Sequence, residues 1–574
     1  MEIKGIGVFS GIGIGTAARF AEEVFEYPAR RSGTASQEIE RLMKATEDFT
    51  REVQRMADVM RERVGSAEAD ILSVQIAIVQ DQSLRMQTDE LVEAGASAEA
   101  ALDEVCQRYI KMFETAGSEL MSLRAADVRD LRGRMLALLT GKTLRSLKEF
   151  APGTVLAARD LTPTMTAGLD PACIEGIVTE RGGLTSHSAI LARAMGIPSV
   201  LGAVGLMDAV HTGETVVVDG EHGTVWLSPG AGQLAAFRAR KAMYETYRRE
   251  LENYRGKPTC TADGAKVQLM ANISSPDEMA RVLEAGADGI GLMRTEFLLA
   301  GRTAMPTEEE QLAAYRAVAD AMPDRPVAIQ AFDVGGDKFP PCMHFLPEKN
   351  PYLGERGIRY LLNHEDLFRT QLRALLRAGA AHGNVWIALP FVTGAAEVEY
   401  TRDLLEQCKS QLEHEGLAFD RGARLGLMAE TPAAAFAADL FARRVDFFLM
   451  GTNDLVQYML ATDRENPRIA QRYTPFHPAV LRAVRATVKA AQEAGVPVWM
   501  CGEIAADERM TPLLLSFGLD ALSVNGPSLT AIRKAVSIWK RQDADEVARH
   551  VMELETAREI EEYLSAITRA PMEF

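Results

Sequence analysis

The chain has no long apolar run. Nowhere does it hold the ~18 to 20 consecutive apolar residues that span a bilayer, so no membrane-spanning segment is expected. Its opening stretch, MEIKGIGVFSGIGIG, is broken by glycines and has no cleavage site. It does not read as a signal peptide, and a cytoplasmic location is expected. Cysteine is scarce and never paired. Cys106, Cys173, Cys260, Cys342, Cys408 and Cys501 stand singly, with no CxxC and no zinc spacing, which argues against a disulfide framework or a zinc module. Positive charge is in deficit: 63 Lys and Arg face 80 Asp and Glu, a net charge of −17. Such a polyanion repels nucleic acid and anionic lipid. No nucleic-acid or membrane partner is expected, and an anionic substrate needs a local cluster of cations. The phosphate loop GxxxxGK[ST] is absent.

What is present is ordinary globular protein, 47% hydrophobic and 25% charged. The 574 residues suggest three or four domains at roughly 150 residues each. Residues 1 to about 22 read as strand and turn whose partners lie elsewhere in the chain. From about 35 to 146 proline is absent, and apolar residues recur at helical spacing, as in Ile71, Leu72, Val74, Ile76, Ile78 and Val79. This predicts an antiparallel helical bundle inserted as one unit. Between about 152 and 228, the runs Thr154–Leu156, Gly176–Thr179, Glu214–Asp219 and Thr224–Leu227 alternate with glycine turns. They predict a compact β/α domain that the N-terminal strand completes. Residues 231 to about 255 form a charged amphipathic helix, expected to be a solvated connector able to swivel.

From about 263 onward eight apolar runs recur: Lys266–Ile273, Gly289–Met293, Pro326–Asp333, Val385–Val392, Arg424–Glu430, Asp446–Gly451, Pro497–Gly502 and Leu519–Val524. A loop and a helical pattern follow each one, which predicts a (β/α)8 barrel. A charged helix from about 540 ends the chain. The barrel rule puts chemistry in the loops after strand ends. There the chain reads Arg294-Thr295-Glu296, Asp333-Val334-Gly335-Gly336-Asp337-Lys338, Glu430, Gly451-Thr452-Asn453-Asp454 with Arg464 beyond, Cys501-Gly502-Glu503, and Asn525-Gly526. Arginines fork onto phosphate or carboxylate oxygens. Glu430 and Asp454 offer the oxygen ligands that suit Mg²⁺. The constellation points to a small, phosphorylated, anionic substrate with a divalent metal.

A second constellation is Arg181-Gly182-Gly183-Leu184-Thr185-Ser186-His187-Ser188-Ala189-Ile190-Leu191-Ala192-Arg193. A strand feeds a Gly-Gly turn, and a helix is predicted to begin around Ser186 to Ser188. That places His187 at a helix N-terminus, where backbone N–H groups and the dipole favour a bound phosphate. His187 is thereby a candidate nucleophile toward phosphorus.

Taken in order, GGLTSHSAILAR, GLMRTEF, DVGGDK, NPYLGERGIR, MAETPAA, GTNDLVQY, DR and MCGE resemble Enzyme I of the bacterial phosphotransferase system, as does RAADVRDL at the end of the insert. The resemblance covers nearly the whole chain. It implies a phosphoenolpyruvate–protein phosphotransferase (EC 2.7.3.9 type), a multidomain α/β protein. A swivelling phosphohistidine β/α domain would span 1–22 and 147–230, interrupted by a helical HPr-binding insert at 23–146. A linker helix would follow at 231–260 and a phosphoenolpyruvate-binding (β/α)8 barrel at 261–574. It further implies that His187 attacks phosphoenolpyruvate through Nε2 and that Cys501 protonates the enolate. Glu430 and Asp454 would hold Mg²⁺, while Arg294, Arg356, Asn453, Asp454 and Arg464 grip the substrate. Thr166 would hydrogen-bond near the histidine. The phosphoryl group would pass to a histidine of HPr, the first step of sugar uptake, and the barrel would form a homodimer.

The chain departs from the family in places. Gln330 stands where members carry an arginine ahead of the DxGGDK motif. A charge-assisted contact is worth about 1.5 to 3 kcal/mol, so Gln330 is expected to weaken turnover unless Arg302 or Lys338 compensates. The stretch Gln75–Ser83 holds fewer acidic residues than family members show at the carrier-docking turn, and Ser10 replaces a proline. Two alternatives follow: a catalytically weakened regulatory paralogue, which Gln330 supports, and a dikinase or phosphoenolpyruvate synthase, whose ATP-binding domain has no room in this insert.

Overall fold

The computed structural model describes residues 1–20, 25–63, 66–115, 119–142, 150–162, 165, 169–183, 186–300, 302–336, 338–464, 466 and 468–568. The chain divides into two compact units, Met1–Tyr247 and Arg248–Glu573. None of the described helices is long and apolar enough to cross a membrane.

The first unit is built on an eight-stranded sheet. Its strands are β1 (Glu2–Lys4), β2 (Ile6–Phe9), β3 (Ile12–Phe20), β4 (Thr154–Ala158), β5 (Ile174–Thr179), β6 (Ser199–Leu201), β7 (Thr215–Asp219) and β8 (Thr224–Leu227), in the order β1-β8-β7-β3-β4-β5-β6-β2. The N-terminal strands do complete the sheet: β3 runs parallel to β4 with Thr16 opposite Thr154, while β1 and β2 cover opposite edges. β6 was not expected. Its three residues are too few to display a strand period.

Between β3 and β4 the chain makes the helices Ala35–Arg63, Ser66–Val79, Gln82–Glu93, Ala98–Thr115 and Glu119–Thr140. They close on Phe49, Val53, Leu72, Val92, Leu102, Val105 and Leu131, all buried. The stretch Gln75–Ser83 is partly interior. Gln75 is buried, with Nε2 donating to Asp130 Oδ2 at 2.8 Å. Asp81 caps the third helix, its Oδ1 accepting from the Ser83 and Leu84 amides.

The connector forms the helix Ala231–Glu252. It is not merely solvated, as its charge suggested. Phe237 packs on Ile12, Val217 and Trp226, Arg240 pairs with buried Asp219 at 3.0 Å, and Lys241 pairs with Glu175. One apolar residue per few turns suffices to dock a helix whose other faces are charged.

In the second unit, β9 (Gln268–Ile273), β10 (Ile290–Met293), β11 (Val327–Gln330), β12 (Val385–Leu389), β13 (Arg424–Met428), β14 (Phe448–Met450), β15 (Val498–Met500) and β16 (Ala521–Asn525) form a closed parallel barrel. β16 closes on β9, with Leu522 opposite Leu269. The interior is solid: Met270, Leu292, Ala328, Ala388, Met428, Leu449, Trp499 and Ala521 fill it, and Trp386 stacks on Trp499 at 4.6 Å. At the strand starts, Asp288, Asp446 and Asp520 each accept from the first amides of the preceding strand, those of Leu269, Leu425 and Val498. The single charged tail helix expected from about 540 is two helices, Arg541–Val551 and Ala557–Ile567. The break comes where Thr556 caps the second, accepting from the Glu559 amide while Glu559 reaches back.

Candidate active site

In a parallel barrel alternate residues of a strand face inward. Leu292, Ala328, Met428 and Trp499 fill the interior. Two residues on, at the C-terminal ends of their strands, come Arg294, Gln330, Glu430 and Cys501. The strand period thus lines four of the polar residues read from the sequence along one mouth.

At that mouth lies a network centred on Arg356, which is 1% exposed. Its Nε and one Nη grip Asp333 at 3.1 and 2.9 Å. Its two Nη atoms also fork onto Asp454 at 3.2 and 3.0 Å, and one donates to the Tyr458 hydroxyl at 3.0 Å. These bonds occupy all five guanidinium donors. Lys338 Nζ bridges Glu296 and Asp333 at 3.0 and 3.1 Å. Burial opposes the charge on Asp333, but Lys338 and Arg356 outweigh it and hold the carboxyl well below its usual range. Arg464 lies 3.6 Å from Asp454.

Asp454 sits in the first turn of the helix Thr452–Leu460, and Tyr458 follows one turn later on the same face. Asn453 is pinned from three sides. Its side chain exchanges hydrogen bonds with Glu503 at 3.2 and 2.9 Å, and its carbonyl accepts from Tyr473 at 3.1 Å.

Glu430 is buried, and its Oε1 accepts from the Phe391 amide at 2.6 Å. Burial, then the charges of Asp454 and Asp333, push its carboxyl well above the usual range. A Cβ at Gly451 would run into the Glu430 carboxylate, so glycine is required there. Cys501 is buried, with Sγ 3.4 Å from the Met450 carbonyl. Burial and the neighbouring Glu430 push its thiol up to about 12, against the opposing pull of Arg294, so it is protonated at neutral pH. Arg294 itself is exposed and makes no ion pair among the described residues.

Among the described residues no cluster of three or more His, Cys, Asp and Glu side chains could hold a metal. Mg²⁺ takes one or two carboxylates and completes its shell with water and substrate oxygens, and Glu430 and Asp454 are the acidic side chains at the mouth that could supply them. The mutual repulsion that raises Glu430 is what a divalent cation would relieve.

In the first unit, the helix His187–Met195 begins at His187. Ser186 caps it, Oγ accepting from the Ala189 amide at 3.3 Å, and Gly196 ends it at φ +67°. Ser188 is buried and its hydroxyl faces Asp160 and the Leu161 carbonyl. Thr166 and Thr185 lie outside the described residues. The structure brings Arg356, Asp454 and Arg464 together, and Glu430 and Arg294 lie close enough to Cys501 to act in opposite senses on its thiol. Sequence reasoning gave no role to Asp333, Phe391, Tyr458 or Tyr473. The four-residue spacing of Asp454 and Tyr458 could have flagged Tyr458, while Phe391 and Tyr473 left no signal.

One unit is a (β/α)8 barrel with an acidic and cationic mouth, and the other holds a β/α domain in which a helix begins at His187; the class of protein they belong to is that of the phosphoenolpyruvate-utilising enzymes. Residues 248–541 match the family described as PEP-utilising enzyme, PEP-binding domain. Residues 150–223 match its mobile domain and 4–124 its N-terminal domain. The phosphoenolpyruvate-protein phosphotransferase of Priestia megaterium is 38% identical over 566 residues, 98% of this chain and 99% of that protein. That of Geobacillus stearothermophilus is 40% identical over 559 residues, covering 97% and 96%. That of Bacillus subtilis is 36% identical over 560 residues, covering 97% and 98%. The chain belongs to the phosphoenolpyruvate–protein phosphotransferase family, the Enzyme I family.

Proposed function

We propose that the chain takes the phosphoryl group of phosphoenolpyruvate onto His187 and passes it to a histidine of the carrier HPr, opening phosphotransferase-system sugar uptake. Family membership makes it an enzyme of phosphoryl transfer from phosphoenolpyruvate to protein histidine. The observation that carries the residue-level reading is Arg294, an exposed arginine without an ion pair among the described residues, at the mouth that holds Glu430 and Cys501.

In this reading Arg294, Arg356, Asn453, Asp454 and Arg464 surround the phosphate and carboxylate of the substrate, with Arg356 also fixing Asp454. Glu430 and Asp454 would hold Mg²⁺, which would supply positive charge to neutralise the moving phosphoryl group. The nitrogen of His187 forms the new P–N bond as the bond from phosphorus to the enol oxygen breaks. Cys501, held as a thiol by burial and Glu430, gives its proton to the enolate carbon, yielding pyruvate. Solvent then restores the thiol. Residues 1–22 with 147–230 act as the phosphohistidine domain, 23–146 as the HPr-binding insert, 231–260 as the linker and 261–574 as the substrate barrel. That barrel also pairs two copies of the chain.

The test is purified protein with Mg²⁺ and phosphoenolpyruvate labelled in its phosphate, beside His187→Ala. Acid-labile, base-stable label present in the wild type and absent from the variant is expected. Folded wild type that takes up no label at saturating substrate overturns the reading.

A further inference from the structure

Phe391 directly follows Pro390 at the end of β12 and is 2% exposed. Its φ is +58°, in the left-handed region that only three described non-glycine residues occupy. For a bulky residue that conformation is strained and persists only where its surroundings impose it. Several contacts do so here. The Phe391 amide donates to Glu430 Oε1 at 2.6 Å. The ring lies against two guanidinium groups, Arg356 at 5.1 Å and Arg359 at 4.9 Å from its centroid. Its edge meets Tyr458 at 5.2 Å. The neighbouring loop is fitted to it: Ile358 donates to the Pro390 carbonyl at 3.2 Å, and a Cβ on Gly357 would come within 2.8 Å of the Phe391 Cβ.

φ is the rotation about N–Cα. With the amide committed to Glu430, φ sets the direction in which Cβ leaves the backbone, and from +58° the side chain places its ring near both arginines. The aromatic character matters because Arg356 has no donor left: all five N–H groups go to Asp333, Asp454 and Tyr458 within the guanidinium plane. Only its flat face is open. An aromatic ring presses on that face without competing for a hydrogen bond, which neither a carboxylate nor a carbonyl can do.

We propose that Phe391 is a positioning residue for the phosphoenolpyruvate reaction, setting the Glu430 carboxylate through its amide and the Arg356 guanidinium through its ring. This rests on the functional reading above. The full chain is compared with Phe391→Leu, Phe391→Gly and Phe391→Tyr. Single-turnover label uptake is followed against phosphoenolpyruvate concentration, and amide exchange of residues 389–394 is followed in metal-free protein. A cation–π contact of this burial corresponds to about five- to thirty-fold, so Leu and Gly should raise the half-saturating concentration by that factor and lower the limiting rate less. Tyr should stay within about two-fold of wild type on the same scale. Exchange of the 389–394 amides should quicken in Leu and Gly and not in Tyr. A Leu variant with wild-type half-saturation and exchange overturns the proposal, as does a Tyr variant that fails as Leu does. If wild type takes up no label, the functional reading has failed, and the exchange comparison still decides the role of Phe391.

Discussion

Replacing Gln330 with arginine should raise kcat/KM for phosphoenolpyruvate. Gln330 ends β11 and faces inward, one layer above Ala328. Its register partner on β12 is Ala388, whose small side chain leaves room for a longer neighbour. Neither cation that could stand in for an arginine is free to do so. Lys338 is held between Glu296 and Asp333, and Arg302 pairs with Glu310 at 2.7 Å on the surface. A forked, charge-assisted contact adds about 1.5–3 kcal/mol, roughly ten- to a hundred-fold. The opposing effect is repulsion from Arg294. Both charges would sit at the same mouth, and the solvent that reaches exposed Arg294 screens part of that repulsion. The repulsion exists in the free enzyme and is relieved when the anion arrives, so it lowers stability without lowering affinity. Gln330→Arg should therefore gain at least about ten-fold in kcat/KM while melting slightly earlier. Gln330→Lys, a point charge without the fork, should gain less. The assay is label uptake over a range of phosphoenolpyruvate concentrations. A folded arginine variant with unchanged or lower kcat/KM refutes the reasoning.

Other outcomes are equally definite. Cys501→Ala should lower the rate of pyruvate formation by about 10²- to 10⁴-fold, the usual worth of a general acid; because the thiol is pushed up to about 12, the wild-type pH–rate profile should show no loss from its ionisation below pH 9. Buried Arg533 donates to the carbonyls of Tyr254, Ala285 and Gly286 and to Thr259 Oγ1, so Arg533→Ala, which strands these acceptors at about 1–3 kcal/mol apiece before water relieves some of them, should destabilise the barrel in urea unfolding by about 3 kcal/mol or more; a loss under about 1 kcal/mol would contradict the assignment. Asp127 in the bundle is pushed up to about 7 by burial and by Asp130, against Arg124. Its folded form thus prefers the proton: the stabilisation is full below about pH 4 and is lost as pH rises through 7, roughly 4 kcal/mol over the interval. Amide exchange in residues 124–135 should accelerate between pH 5 and 8 beyond its intrinsic rise, and Asp127→Asn should abolish the excess.

Much of this protein was legible without coordinates, and for local reasons. Eight apolar runs became eight barrel strands because a strand buried on both faces must be apolar along its length. Arg294, Glu430 and Cys501 share a mouth because a period of two and the barrel's polarity leave inward residues at strand ends no other place. The helix at His187 follows from Ser186 as a cap and Gly196 as a stop. Periodicity reports how a residue's own segment is buried, and there it is silent beyond. It could not tell that Arg356 spends every donor on Asp333, Asp454 and Tyr458, partners 23, 98 and 102 positions away. Nor could it place β1 and β2 at opposite edges of one sheet, dock Phe237 against Ile12, or turn Phe391 to a positive φ. Those outcomes depend on which surfaces the closed chain brings face to face, and a side chain's partner across the barrel leaves no trace in the residues beside it.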